Sequence, residues 1–134
     1  MSKEKALFWT FRQNNSGGTF TVDDSVDKYV IVEALDAEEA NEKAKKVGIY
    51  FNGCDKGVDC RCCGDRWYRA SLWEAYEEPA LYGVPVNKFK DYIEAGVIIY
   101  FLNGEVKRIK IKKGSNEERD YVLKSLGERL KKGL

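Results

Sequence analysis

The sequence feature that most restricts the fold is a predicted β-hairpin in the second half of the chain. Residues 97–102 are apolar at every position, so this strand should be buried on both faces at the centre of a sheet. The dipeptide Asn103-Gly104 follows, and it suits the positive φ angles of a type I′ turn. Residues 105–112 then alternate, which places Ile109 and Ile111 inward and the intervening basic residues toward solvent. The rest of the chain has to pack around this sheet.

The flanking segments predict the remaining elements of one α+β domain. β-Prone residues predict strands at 6–12, 19–22, 28–34 and 66–70, with the first two joined as a hairpin by a polar turn. Helices are predicted at 36–47, 88–95 and 117–131. The first helix has the clearest ends, because Asp36 can cap its N-terminus and Gly48 can end it. We therefore expect a single domain over residues 1–134, an antiparallel sheet with helices packed on one face and a cysteine-rich loop.

Composition limits the compartment and the partners. The 134 residues carry a net charge of +1, so no overall field attracts nucleic acid or an anionic membrane. The N-terminus shows no signal peptide, and no run approaches the roughly 18 apolar residues of a membrane span. We therefore expect a cytoplasmic protein without a membrane partner, in a compartment where thiols stay reduced.

All the cysteines of the chain fall within ten residues. Cys54, Cys60, Cys62 and Cys63 have the spacing C-x5-C-x-C-C, in a segment rich in Gly and Asp that is unlike a helix or strand. Four thiolates can close a tetrahedral zinc site, and there is no histidine in the chain to serve as a ligand instead. A disulfide from Cys54 to a later cysteine, or free thiols, are the alternatives. A zinc ion here is expected to be structural, since no general base accompanies it.

A polar turn after the first predicted strand is the best candidate binding surface. The candidate ligand contacts are Trp9, Arg12, Gln13, Asn14 and Asn15. An aromatic ring can stack on a planar base, while Arg pairs with phosphate and the amides read hydrogen-bonding edges. Two glycines that follow could present backbone N–H groups to an anion. The alternative is an ordinary hairpin with a solvated turn.

Asp65 and Arg66, directly after the cysteines, are two further candidate ligand contacts. The alternative interpretation makes them a turn carboxylate and an ion-paired arginine beside a core Trp67. The chain contains no P-loop, no dinucleotide fingerprint and no Ser/His/Asp set. Histidine, the usual acid–base catalyst, is missing as well. An enzyme that uses Asp65 and Arg66 therefore ranks below a binding protein, and no catalytic residue is assigned.

Three stretches of the chain resemble a family of small tailed-bacteriophage proteins that carries no settled activity. They are FWTFRQNNSGG at 8–18, AEEA at 37–40 through YFNGC at 50–54, and DCRCCGDRWY at 59–68. The resemblance covers roughly the first 70 residues. It implies an accessory protein acting in the cytoplasm of a bacterial host, and small accessory phage proteins are often non-catalytic binders.

Two functions follow as hypotheses from the resemblance and the motifs. The first is a non-enzymatic binding protein that sequesters a nucleotide-derived host immune signal, an anti-defence role. The second is a zinc-stabilised module that binds and inhibits a host protein through the cysteine loop or the basic strand 105–113. Nucleic acid is the less favoured partner, and a homo-oligomer is compatible with either function.

Overall fold

The computed structural model describes residues 5–91 and 94–113. Its strands are β1 Leu7–Arg12, β2 Tyr29–Ala34, β3 Ala75–Tyr76, β4 Ala80–Leu81, β5 Val84–Pro85, β6 Ala95–Tyr100 and β7 Val106–Ile111. The helix α1 spans Ala37–Lys46, and short 3-10 turns occupy Ser16–Gly18 and Leu72–Glu74. The predicted α+β class is confirmed. The predicted helix at 117–131 lies outside the described residues.

Five strands form a mixed sheet in the order β3-β1-β2-β6-β7. β6 lies between β2 and β7, so the prediction of an interior strand from its apolar run is confirmed. The prediction of a wholly antiparallel sheet is wrong, because β2 pairs with β6 in parallel, with Tyr29 opposite Val97. A long connection separates these two strands, and such a connection permits the parallel arrangement that a tight turn forbids.

The predicted hairpin of 6–12 with 19–22 is also wrong. β1 pairs instead with β2, with Phe11 opposite Val30. The side chain of Gln13 explains the difference: its Oε1 accepts from Thr21 N at 2.6 Å, and its Nε2 donates to Thr21 O at 3.0 Å. The buried amide of Gln13 therefore satisfies the backbone N–H and C=O groups of Thr21, which a neighbouring strand would otherwise have paired.

The helix α1 forms where the sequence predicts it. Asp36 caps it, accepting a hydrogen bond from Glu39 N at 2.7 Å. Ala40 and Ala44 are fully buried, so the small residues let the helix lie close to the sheet. Gly48, at φ +108°, follows its C-terminus.

Three other local predictions need correction. Residues 66–70 form no strand, because Arg66 N and Ala70 N donate to the side chains of Asp59 and Asn41. The described part of 88–95 is not helical, and Ala95 already belongs to β6. The turn between β6 and β7 is not type I′: Phe101 N donates to Glu105 O, and of the three loop residues only Gly104 has a positive φ.

The centre of the sheet is buried on both faces, which explains why β2 is apolar at every position except Glu33. We call the two sides the helix-side core and the hairpin-side core. α1 and the chain after it cover the first, and the β4–β5 hairpin covers the second. The helix-side core includes Trp9, Phe11, Val30, Val32, Ala40, Ala44, Phe51 and Trp67. The hairpin-side core includes Tyr29, Ile31, Leu81, Phe89, Val97, Ile99 and Ile111.

Within residues 5–91 and 94–113, helices are too short or too polar to cross a membrane.

Candidate functional site

A cavity of about 750 Å³ opens where β1 ends and β2 begins. Its volume is within the range of about 300–1,000 Å³ that is usual for small-molecule sites. Its walls come from β1 and the polar turn, the start of β2, the segment 68–74, the β4–β5 turn and residues 89–91. With Phe20 in addition, the cavity is assembled from six separate parts of the chain, and it lies over the polar turn that the sequence analysis identified.

Arg12 is the cation on the cavity wall with the best-defined surroundings. Its Nη2 lies 2.8 Å from Glu74 Oε1, and its guanidinium lies 4.6 Å from the centre of the Tyr82 ring. Burial lowers the pKa of Arg12, but the contacts with Tyr82 and Glu74 outweigh burial and raise the pKa above its ordinary value. Arg12 is therefore a fixed cation, clamped between a carboxylate and an aromatic face.

Tyr82 reaches the cavity through an unusual backbone conformation. The hairpin of β4 and β5 turns through Tyr82 and Gly83, at φ +53° and +79°, the signs of a type I′ turn. A bulky residue rarely adopts positive φ, and such strain is concentrated at functional sites. The Tyr82 ring stacks on Phe89 at 5.7 Å with an interplanar angle of 21°. The strained turn thus presents a two-ring aromatic wall beside Arg12.

A buried ion pair is the second charged feature of the cavity lining. Lys28 Nζ lies 2.9 Å from Asp91 Oδ2, and the side chains are only 10% and 6% exposed. Tyr29 donates its hydroxyl to the same oxygen at 2.7 Å. Burial and the Asp91 contact raise the pKa of Tyr29, so it remains a neutral donor. These groups satisfy one another, which favours a structural role for them.

The polar turn and the cysteine segment are in direct contact. Asn14 Nδ2 donates to the carbonyl of Cys63 at 2.7 Å and to that of Asp65 at 3.2 Å. Asn14 N donates to Arg66 O, and Arg66 Nη1 donates to Gln13 Oε1 at 2.8 Å. The two motifs of the sequence therefore meet at the rim of the cavity.

Four of the seven predicted ligand contacts line the cavity: Arg12, Gln13, Asn14 and Asn15. Trp9 does not, because its side chain is 3% exposed in the helix-side core and its Nε1 donates to Ala34 O. Asp65 and Arg66 are outside the lining too. Asp65 accepts a hydrogen bond from Cys54 N. Arg66 is hydrogen-bonded to Gln13 and Asn14 and pairs with Asp59 at 3.8 Å.

The aromatic lining was missed as a site by sequence reasoning. Phe20, Tyr29, Tyr82 and Phe89 lie far apart in the chain and read as ordinary strand or core residues. Tyr82-Gly83 carries no recognised type I′ signal, since Asn or Asp is the usual first residue. Nothing in the sequence marks Tyr82 as a residue of the cavity wall.

The cysteine segment keeps its shape through an anchored carboxylate. Asp59, with a side chain only 1% exposed, accepts from Tyr50 OH at 2.6 Å and from Arg66 N at 2.8 Å. Gly53 packs directly against it, where an added Cβ would lie 1.9 Å from Asp59 Oδ2. The segment is therefore ordered by a buried acid and a glycine that makes room for it.

The four thiols have different surroundings, with Cys54 and Cys60 partly buried and Cys62 and Cys63 exposed. Partial burial and the Asp65 carboxylate raise the pKa of Cys54 to about 11. The backbone N–H of Cys63, with further hydrogen bonds from Cys63 and Cys62, lowers the pKa of Cys60. No group of three or more His, Cys, Asp or Glu side chains within the described ranges is arranged to hold a metal ion.

Comparison with known proteins gives a family for the chain. No curated protein and no solved structure matches it significantly. The family model of a domain of unknown function, DUF7296, matches residues 6–119. The matched range includes β1, the cysteine segment and every part of the chain that lines the cavity. Because the match covers most of its length, the chain belongs to the DUF7296 family.

Proposed function

We propose that the chain is a non-enzymatic binding protein whose cavity holds a nucleotide-type small molecule. The observation that carries the proposal is the wall formed by Arg12 and the stacked rings of Tyr82 and Phe89. A guanidinium is suited to a phosphate, and an aromatic face is suited to a planar base. The two chemistries lie side by side in one cavity of suitable volume.

The charge of the lining favours an anionic ligand. Arg12, Lys28, Arg69 and Lys90 line the cavity, against the carboxylates of Glu74 and Asp91. The buried Lys28–Asp91 pair neutralises itself, so the excess positive charge lies with the other lining residues. Asn15 adds an amide group at the rim that is suited to the edge of a base, whereas the Nδ2 group of Asn14 is bound to the cysteine segment.

The proposed biological role is sequestration of a nucleotide-derived host immune signal in the cytoplasm of a bacterial host. It rests on the resemblance of the first 70 residues to proteins of tailed bacteriophages. A protein that only retains its ligand needs a closed set of contacts and no catalyst. The chain has no histidine, and the cavity carboxylates Glu74 and Asp91 are each held in an ion pair.

Replacing Arg12 with alanine should weaken binding of ADP-ribose or a cyclic nucleotide by about 10- to 100-fold. This follows from about 1.5–3 kcal/mol for a hydrogen bond to a charged group. Isothermal titration calorimetry measures the change. Arg61→Ala is the matched control, because Arg61 is exposed and does not line the cavity. If wild type gives no heat with ADP-ribose or with cyclic nucleotides, or the Arg12 variant binds as tightly as wild type, the proposal fails.

A second candidate function is a zinc-stabilised module that binds and inhibits a host protein. The observation that favours it is exposure on two surfaces. Among the described residues β7 lies at the edge of the sheet, with Val106 57% exposed. The cysteine segment exposes Val58 at 64% together with Cys62 and Cys63. Edge strands can add a strand from a partner. A pull-down from bacterial lysate that recovers no stoichiometric partner would count against this function.

Zinc binding by Cys54, Cys60, Cys62 and Cys63 is part of that second candidate. Elemental analysis of the purified protein should give one zinc per chain. Cys60→Ser should lose most of it, because a four-thiolate site requires every ligand. Ser25→Ala provides a control outside the segment. Four titratable thiols with no zinc would rule out the metal while leaving the nucleotide proposal intact.

A further inference from the structure

Glu74 lies where an anionic ligand group would meet Arg12. Its Oε1 is 2.8 Å from Arg12 Nη2, and its Oε2 accepts from the Tyr76 hydroxyl at 3.2 Å. The Glu74 side chain is 19% exposed and that of Arg12 is 41% exposed. The carboxylate therefore shields one side of the guanidinium within the cavity that both residues line.

The turn that carries Glu74 is exposed, and β3, which begins directly after it, pairs Ala75 with Trp9. The 3-10 turn Leu72–Glu74 has no side-chain cap, and its backbone bonds are short-range, from Glu74 N to Ser71 O and from Ala75 N to Leu72 O. Leu72 is 78% exposed and Trp73 is 88% exposed, so little apolar burial fixes the turn. A segment with few buried contacts opens at low free-energy cost. Rotation of the Glu74 side chain away from Arg12 breaks its contacts with Arg12 and Tyr76 but leaves the pairing of Ala75 with Trp9 in place.

We propose that Glu74 determines the charge specificity of the cavity by occupying the anion subsite of Arg12 until the phosphate of a ligand replaces it. The proposal rests on the nucleotide-binding function above. A phosphate presents more negative charge and more acceptor oxygens than one carboxylate, so it competes effectively for the guanidinium. A neutral ligand supplies no replacement for the Glu74 carboxylate, and Arg12 stays paired with it.

Glu74→Gln tests the proposal, because glutamine keeps the shape and the acceptor for Tyr76 but removes the charge. ADP-ribose is the phosphate-bearing probe and adenosine is the neutral probe. ADP-ribose should bind the variant roughly fivefold more tightly, which is the upper range for a partly exposed ion pair, and adenosine affinity should not change. Glu77→Gln is the control. It removes the same charge from an exposed side chain outside the cavity and should change neither affinity.

The outcomes separate this proposal from the function on which it rests. If wild type binds ADP-ribose and Glu74→Gln binds it equally or more weakly, Glu74 does not compete with the ligand and the proposal is overturned. If neither protein binds any nucleotide, the proposed function fails and this proposal fails with it. Tighter binding restricted to ADP-ribose supports both.

Tryptophan fluorescence gives an independent reading of the displacement. The chain has three tryptophans, of which Trp9 and Trp67 are buried and Trp73 is exposed next to Glu74. ADP-ribose should shift the emission of wild type, and Trp73→Phe should abolish the shift while retaining the calorimetric binding. An unchanged wild-type spectrum at saturating ADP-ribose would overturn the displacement of Glu74.

Discussion

Replacing Asp91 with alanine should lower the free energy of unfolding by about 3–5 kcal/mol, the usual cost of removing one partner of a buried ion pair. The substitution leaves the ammonium of Lys28, 10% exposed, without its carboxylate, and the hydroxyl of Tyr29 without its acceptor. Urea denaturation followed by circular dichroism measures the change in midpoint. The two partners are 63 residues apart in sequence, so the loss affects the global transition.

The control for Asp91 is an acid at the surface. Glu94 is 63% exposed and pairs with Lys110 at 3.4 Å, so Glu94→Ala should cost no more than about 0.5 kcal/mol. The double variant Lys28→Met with Asp91→Leu removes both charges and should be more stable than Asp91→Ala alone. If Asp91→Ala costs no more than Glu94→Ala, the pair is not buried in solution.

Gly53→Ala should destabilise the protein by about 2–4 kcal/mol, because the new methyl group has no space. Its Cβ would lie 1.9 Å from Asp59 Oδ2 and 2.8 Å from a ring carbon of Tyr50. Relieving the overlap has to move Asp59 away from Tyr50 OH or from Arg66 N. Thermal or urea unfolding measures the effect, followed by the change in tryptophan fluorescence as Trp67 becomes exposed.

A double-mutant cycle identifies the cause of the Gly53 effect. Asp59→Ala removes the atoms that the methyl group meets, so Gly53→Ala should cost about 1–3 kcal/mol less in that background. Gly57→Ala, in the same segment, meets nothing within 4 Å but has φ +75°, and it should cost only about 1 kcal/mol. Equal costs at Gly53 and Gly57 would show that backbone strain, and not the overlap, dominates.

Local patterns predicted the elements whose stability comes from neighbouring residues. An apolar run predicts β6 and an alternating run predicts β7. An N-cap residue and a face of small residues predict α1. β2 carries enough β-branched residues to form a strand in any sheet. In these segments the residue propensities, the hydrophobic period and the terminal residues all indicate the same element, and tertiary contacts favour that element too.

Long-range contacts decided what local patterns could not. The partner of β1 depends on a buried glutamine that replaces a strand, and the parallel pairing of β2 depends on the length of the connection to β6. The polar turn lies at the cavity, but the aromatic half of the cavity wall comes from Tyr82 and Phe89, more than 60 residues later in the sequence. A single sequence does not reveal that these distant residues lie in one cavity.

The parallel pairing of β2 with β6 has a consequence for the order of folding. The contacts that shape the cavity join distant residues, such as Lys28 with Asp91 and Thr10 with Ala80, which are 63 and 70 residues apart. The entropy of closing these large loops is lost before the contacts can form. During synthesis, a nascent chain that ends before Phe89 carries the whole polar turn and the cysteine segment but lacks one wall of the cavity. The cavity wall is therefore completed late, when residues 89–91 reach Lys28 and Tyr29.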